Sequence, residues 1–194
     1  IDDACFFTES KIFFSNLTDK VIGSVFESLL NIAKIDFHID RILSYIAEIN
    51  TASVWDFFEK RLQNKRDAQV GYEAIPYNLY GLGKILAKDA DLAIASLRRW
   101  YHLGDLMFEF TGGRLIHAVF SKFSLDMGIK LEQIVKDGLD EDLEFVIHIL
   151  RNYHGEPATH ELVKKLIDRL PENDSKIEQL SISLDNTGVV CGKF

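Results

Sequence analysis

The chain has 194 residues, 47% of them hydrophobic, and a formal net charge of −8. This length allows one large core or a row of stacked helical units. The acidic charge disfavours a general attraction to nucleic acid or anionic lipid, because both require clustered lysines and arginines. No apolar run approaches the ~20 residues of a membrane helix, so no membrane contact is predicted. Two cysteines, Cys5 and Cys191, are too few for a disulfide framework and favour a reducing, cytoplasmic setting.

Apolar residues recur at helical spacing along almost the whole chain, and no set of alternating strands accompanies them. The pattern predicts an all-α chain of about 8–10 helices, each of ordinary globular length. The stripes cover residues 17–30, 39–49, 54–62, 92–101, 115–123, 131–139, 143–150 and 162–170.

Short polar side chains stand just ahead of several stripes, where they can accept hydrogen bonds from free backbone N–H groups. Pro171 ends one helix because it cannot continue the hydrogen-bond ladder. The predicted capping residues are Asp36, Thr51, Asp89, Asp140 and Thr159.

Two segments fall outside the stripes. Residues 67–83 are predicted to form an ordered loop, since they contain apolar side chains to bury. The tail is ambiguous: "KIEQLSISL" fits a helix, whereas "TGVVCGKF" fits a strand or an irregular segment. The apolar members of the loop are Tyr72, Ile75, Tyr77, Leu79 and Tyr80.

A short pattern occurs twice. "DADL" (89–92) and "DEDL" (140–143) begin 51 residues apart, and Arg-x-Tyr-His follows each of them, at 99–102 and 151–154. We interpret the pattern as one structural unit used twice; the alternative is chance similarity between two capped helices. A helix pair of roughly 40–47 residues is the HEAT and armadillo period. Helices that are apolar on two sides also suit a solenoid, in which inner helices touch neighbours on both sides.

Several stretches resemble the HEAT-like helical-repeat regions of large bacterial multidomain proteins. The resemblance covers most of the chain from about residue 36 on and implies a HEAT/armadillo-like α-solenoid of antiparallel helix pairs with a right-handed superhelix. Because the sequence contains no linker and no low-complexity run, a single domain over residues 1–194 is predicted. The resemblance also implies a fragment of a longer chain that carries an NTPase or other effector module, and it supplies no catalytic residue. The stretches are "VWDFFEKRLQ" (54–63), "GYEAIPYNLYGL" (71–82), "LAIASLRRWY" (92–101), "FEFTGGRLI" (108–116) and "DEDLEFVIHILRNYHGEP" (140–157).

Three histidines recur every six residues: His148, His154 and His160. Helical histidines that share a metal stand three or four residues apart, so this spacing disfavours a metal site. A turn at Gly155 and Pro157 is the alternative that would bring His154 and His160 together. We predict no metal and no cofactor.

Two glycine-containing motifs are candidate anion-binding sites. "YGLGKI" (80–85) lacks both the spacing and the preceding strand of a phosphate loop. In "TGGRLI" (111–116), Gly112 and Gly113 at a helix start would let backbone approach an anion beside Arg114. Close helix packing or a tight turn is the more common use of such a pair. No nucleophile elbow or Ser/His/Asp set is present, so no enzyme activity is predicted.

The function predicted from these features is a non-catalytic protein-interaction or scaffold segment, whose partner is a protein or another domain of the same longer chain. The alternative is a nucleic-acid-binding repeat protein, or a base-processing enzyme of the HEAT-like DNA glycosylase kind. That enzyme would use Trp100, Tyr101, Arg98 and Arg99, with Asp142 or Glu144 as its carboxylate.

Basic and aromatic residues supply the candidate interaction surface. A basic strip is predicted from Lys60, Arg61, Lys65 and Arg66 on one helix and from the arginines near residue 98 on another. Salt bridging with acidic helix starts is the alternative use of these cations. The predicted surface consists of Lys60, Arg61, Arg98, Arg99, Trp100 and Arg114.

Overall fold

The computed structural model describes residues 18–66, 71–76 and 78–185 of the chain. The chain divides into two compact units, Ile1–Asp89 and Ala90–Phe194. All regular structure in the described ranges is helical, which confirms the all-α prediction. The single domain over residues 1–194 stays a prediction.

The first unit contains four helices in its described part: α1 (Asp19–Leu30), α2 (Phe37–Ile49), α3 (Thr51–Arg66) and α4 (Leu82–Leu86). Helix α2 packs against α3 and α4, and α1 packs against α3. The stripes predict α1 to α3, whereas the short α4 lies at the end of the predicted loop. Fully buried apolar side chains form the core: Leu43, Ile46, Val54, Trp55, Phe58, Leu62, Leu82 and Leu86.

Helix starts agree with the sequence in part. The Asp36 carboxylate accepts from the amides of His38 and Ile39, both at 2.9 Å, and so caps α2 as predicted. The prediction for Thr51 is wrong, since this residue lies within α3 and its hydroxyl donates to a carbonyl of the preceding helix. Asn50 caps α3 instead, accepting from the Ser53 amide at 3.1 Å.

In the second unit, two more predicted caps differ from the structure. Asp140 lies in the first turn of its helix, and the Leu139 amide donates to Asp142 Oδ2 at 3.0 Å. The Thr159 hydroxyl donates to the Glu156 carbonyl at 2.8 Å and accepts no capping bond.

The connection before α4 is ordered where it is described. Ile75 is 1% exposed, and the Tyr72 hydroxyl donates to the Leu30 carbonyl at 2.6 Å. At the "YGLGKI" motif, the buried Asp40 carboxylate accepts from the amides of Tyr80, Gly81 and Leu82 at 3.0–3.4 Å. The backbone amides that a phosphate would use therefore bind a carboxylate of α2.

The described part of the second unit contains six α-helices. One of them, α6 (Leu106–Val119), starts nine residues before its predicted stripe. Gly112 and Gly113 therefore lie in the interior of this helix, which contradicts their expected place at a helix start. The segment "KIEQLSISL" is helical, and "TGVVCGKF" lies outside the described residues, as do Cys5 and Cys191. The helices are α5 (Ala90–Tyr101), α6 (Leu106–Val119), α7 (Leu125–Asp137), α8 (Asp140–Leu150), α9 (His160–Arg169) and α10 (Ser175–Asp185), with 3₁₀ turns at Arg151–Tyr153 and Pro157–Thr159.

Packing in the second unit follows the order of the chain. Helix α5 contacts α6, α7 and α8, α7 contacts α8 and α9, α6 contacts α8, and α9 contacts α10. Most of these contacts join a helix to the next helix or to the next but one, whereas the contact between α5 and α8 joins helices three apart. Among the described helices of both units, none is both long enough and apolar enough to cross a bilayer.

Candidate interaction groove

The residues of the predicted interaction surface differ in their exposure. Lys60 and Arg99 are exposed, and Arg98 and Arg114 are half-buried. Arg61 and Trp100 are 0% exposed, so their prediction as surface residues is wrong. The cations of α3 belong to the first unit and those of α5 to the second. The basic strip that would join them stays a prediction.

The guanidinium of Arg61 connects three segments of the first unit. It donates to the carbonyls of Leu29 (2.7 Å), Leu30 (3.3 Å), Glu73 (2.6 Å) and Ala74 (2.9 Å). These carbonyls belong to the end of α1 and to the loop before α4. Burial lowers the pKa of Arg61, although the side chain stays charged. Arg61 thus acts as a structural crosslink.

Arg98 and Asp142 form a bidentate ion pair between α5 and α8. Arg98 Nε lies 2.6 Å from Asp142 Oδ1, and Nη2 lies 2.7 Å from Oδ2. His102 Nε2 also lies 2.8 Å from Oδ1. The Asp142 side chain is 4% exposed, against 42% for Arg98. This cluster fastens the end of α5 to the start of α8.

The protonation of Asp142 follows from these contacts. Burial acts to raise its pKa, but hydrogen bonds from Arg98, His102 and the Leu139 amide, together with the charge of Arg98, outweigh burial and lower the pKa. The carboxylate is therefore ionised at neutral pH and fully engaged in holding two helices together.

The residues suggested for base chemistry do not form an accessible cluster. Trp100 is buried and packs edge-on against Phe108, with ring centroids 6.3 Å apart. Tyr101 is half-buried against the rings of Phe145 and His148, at 5.7 and 5.6 Å. Asp142 is bonded as described above. Glu144, the alternative carboxylate, forms an ion pair with Lys176.

The two copies of the repeated pattern are used differently. Asp142 is buried on Arg98, whereas its counterpart Asp91 is 63% exposed in its side chain and pairs with Lys130 at 2.7 Å. Tyr153 is 1% exposed, and its hydroxyl donates to the Phe120 carbonyl at 2.8 Å. Its counterpart Tyr101 is half-buried. The pattern marks similar chain positions but no shared binding site.

The histidines that suggested a metal are separated by their surroundings. His148 Nε2 donates to the Glu109 carbonyl at 2.9 Å, and His154 is exposed. Within the described residues, no three His, Cys, Asp or Glu side chains are grouped so that they could hold a metal ion.

A groove of about 340 Å³ lies between α6 and the segment that ends α8. We call it the arginine groove. Phe110 is 72% exposed, and His117 is also exposed. No carboxylate occurs among the side chains that line it in the described part of the chain. The lining consists of Phe110, Gly113, Arg114, His117, His148, Arg151 and Asn152.

The bottom of the arginine groove depends on a glycine. A Cβ atom at Gly113 would lie 2.8 Å from His148 Nε2 and 3.4 Å from Asn152 Nδ2. The absence of a side chain lets His148 reach the Glu109 carbonyl of α6. Asn152 Nδ2 in turn donates to the His148 carbonyl at 3.2 Å. The glycine pair therefore permits close packing, and it lies beside Arg114 at this groove.

Arg114 is the one residue of the predicted interaction surface that lines the arginine groove. The other lining residues were not among the predicted surface residues. A signal for them was present. Phe110, Arg114 and His117 are spaced by four and then three residues, which places them on one helical face. Arg151 and Asn152 belong to the second copy of the Arg-x-Tyr-His pattern, which predicts a structural unit and no interaction surface.

Comparison of the chain with protein-family models found no match, and comparisons with curated proteins and with solved structures found none either. The HEAT-like family therefore stays a prediction.

Proposed function

We propose that the chain is a non-catalytic helical-repeat module that binds a protein partner through the arginine groove. The observation that carries this proposal is the groove itself: two arginines, two histidines and an amide beside a phenylalanine that is 72% exposed. Large exposed aromatic side chains next to arginines are typical of protein-binding surfaces.

The organisation of the second unit supports a HEAT-like stack. Most of its helix contacts join a helix to the next helix or to the next but one along the chain, with the contact between α5 and α8 as the exception. Such nearest-neighbour packing is what a solenoid requires, and a solenoid offers extended binding surfaces without needing chemistry of its own. Residues 90–185 would then form successive helix pairs, with the right-handed superhelix remaining an expectation.

The proposal accounts for the polar groups that are not at the groove. Arg61 and Asp142 are buried, and both side chains form hydrogen bonds within the protein, Arg61 to backbone carbonyls and Asp142 to Arg98. These side chains stabilise the fold, which makes them poor candidates for substrate chemistry. Of the two aromatic residues proposed for the nucleic-acid alternative, Trp100 is buried in the core and Tyr101 is half-buried.

Site-specific photo-crosslinking tests the proposal. His117 would be replaced by p-benzoylphenylalanine in the cells that encode the chain, with the same replacement at the exposed Lys122 as the matched control. Lys122 lies in the same unit but outside the groove lining. We expect a discrete protease-sensitive adduct from position 117 and none from position 122. A nuclease-sensitive adduct, or equal labelling at both positions, would reject the proposal.

A further inference from the structure

The charge of the arginine groove contrasts with that of the chain. The whole chain carries 30 acidic and 22 Lys and Arg residues, yet among the described residues no acidic side chain lines this groove. Arg114 projects from α6 and Arg151 from the 3₁₀ turn after α8, so two separate elements place cations around one concavity. This distribution favours an anionic ligand, because opposite charge is the basis of complementarity at binding sites.

The guanidinium groups suit carboxylates. Arg151 Nη2 donates to the neutral amide oxygen of Gln179 at 3.3 Å, which is a long bond. A carboxylate would be a stronger acceptor for the same guanidinium, since charge-assisted pairs are shorter and often bidentate. Asn152 also lines the groove, and since its Nδ2 donates to the carbonyls of His148 and Ile149, its amide oxygen is the atom that can accept from a peptide N–H.

Phe110 supplies an apolar contact. Its ring is 72% exposed at the end of the groove, on the same helical face as Arg114. A ligand that places an aromatic or large aliphatic side chain on this ring would remove apolar surface from water. The volume of about 340 Å³ is at the low end of the range for ligand pockets, so a short segment fits it better than a large body.

We propose that the arginine groove binds a short acidic peptide segment of a partner, with carboxylates on Arg114 and Arg151 and an aromatic or aliphatic side chain on Phe110. This inference rests on the proposed function and adds the class of partner. A nucleic acid is the other polyanion that could stack on Phe110. Stable nucleic-acid binding, however, requires cations along many phosphates, and the net charge of the chain is −8.

Chemical-shift mapping with a defined peptide tests the inference. The probe is a synthetic peptide with a central phenylalanine flanked on each side by Glu-Asp, titrated into ¹⁵N-labelled chain at low salt. We expect saturable shifts at residues 110–117 and 151–152. A peptide with glycine in place of the phenylalanine should bind about fivefold more weakly, and one with Lys-Lys flanks should not bind.

Variants test whether the arginines of the groove cause the chemical-shift changes. The double variant Arg114→Glu/Arg151→Glu should lose the shifts, whereas Lys122→Glu, which makes the same charge change outside the groove, should keep them. If the double variant does not fold, Arg151→Gln on the exposed turn should still weaken binding at least about fivefold.

Three results would overturn the inference: shifts that lie outside the groove, shifts that persist in the arginine variants, and an oligothymidylate that binds at the groove while the peptide does not. A crosslink at His117 without peptide binding would leave the interaction module standing and remove only the acidic ligand.

Discussion

Arg61 lies inside the first unit although its neighbour Lys60 is exposed. The positive charge of both residues favours a surface strip, but the helical periodicity of α3 indicates that Arg61 lies on the buried face. Arg61 stands seven residues after Val54 and three after Phe58, on the same face as these apolar side chains. What the sequence could not show is the set of carbonyls at the end of α1 and in the loop that makes burial of the charge tolerable.

Arg61→Lys should destabilise the chain by roughly 2–4 kcal/mol, because a compact ammonium cannot reach four carbonyls spread around a planar fork. Lys60→Arg, one residue away and exposed, should change stability by less than about 0.5 kcal/mol. Urea unfolding of both variants measures the difference. Equal stability of the two variants would show that Arg61 is not a crosslink.

Asp142→Asn should cost roughly 2–3 kcal/mol at pH 7, because an amide cannot sustain the charged bonds with Arg98. The control is Asp91→Asn at the matching position of the repeat. Asp91 is exposed and pairs with Lys130. Its loss should cost less than about 1 kcal/mol.

The cost of Asp142→Asn should depend on pH. The folded pKa of Asp142 lies below its ordinary value, so its ionised form stabilises the fold fully above an ordinary carboxyl pKa of about 3.9. That contribution is lost as the pH falls through the lowered pKa. The difference in unfolding free energy between the wild type and the variant should therefore shrink below about pH 4. A difference that grows on acidification would contradict the ion pair.

At the scale of elements, helical periodicity predicts most helices of the described residues. It fails where the stripe is short or interrupted. Helix α4 has five residues, less than two turns, and lies in a loop with tyrosines and glycines. The middle of α6 contains Gly112 and Gly113, which interrupt the apolar stripe and carry low helix propensity. Gly113 allows His148 of α8 to approach α6 closely. The sequence of α6 alone does not show this approach.

Gly113→Ala should destabilise the chain by about 1–2 kcal/mol despite the better helix propensity of alanine, because the new methyl group would displace His148 from the Glu109 carbonyl. Gly23→Ala in α1 is the matched control. A Cβ there meets nothing within 4 Å, so the change should stabilise by about 0.5–1 kcal/mol.

A double-mutant cycle checks the stated cause. In a His148→Ala background, Gly113→Ala should become neutral or stabilising, since the clash has been removed. If Gly113→Ala costs the same in both backgrounds, the close approach to His148 is not the reason for the glycine.

At the scale of the molecule, the sequence predicts one domain, while the structure divides into two compact units. Each unit has one buried tryptophan, Trp55 in the first and Trp100 in the second. Trp55→Phe and Trp100→Phe therefore make single-tryptophan reporters of the separate units. A single domain requires fluorescence and far-UV circular dichroism to give one urea midpoint for each variant. Two midpoints within one variant would show units that unfold independently.

The function was predictable from the sequence only as a class. A helical, acidic chain without a catalytic motif suggests an interaction module, but the arginine groove depends on α6 and the end of α8 meeting in space. Arg151 and Asn152 lie about forty residues after Phe110, and nothing in the local pattern joins them. The groove forms because α6 and the end of α8 pack together, although they are far apart in the sequence.

The most direct measurement combines crosslinking with stability in the variant Arg114→Glu/Arg151→Glu. If the arginines serve binding, this variant should unfold within about 1 kcal/mol of the wild type, since both side chains are at least partly exposed. It should nevertheless lose the protein adduct formed from p-benzoylphenylalanine at position 117. An adduct of undiminished yield from the folded variant would show that the arginine groove does not hold the partner, and the account of its function would be wrong.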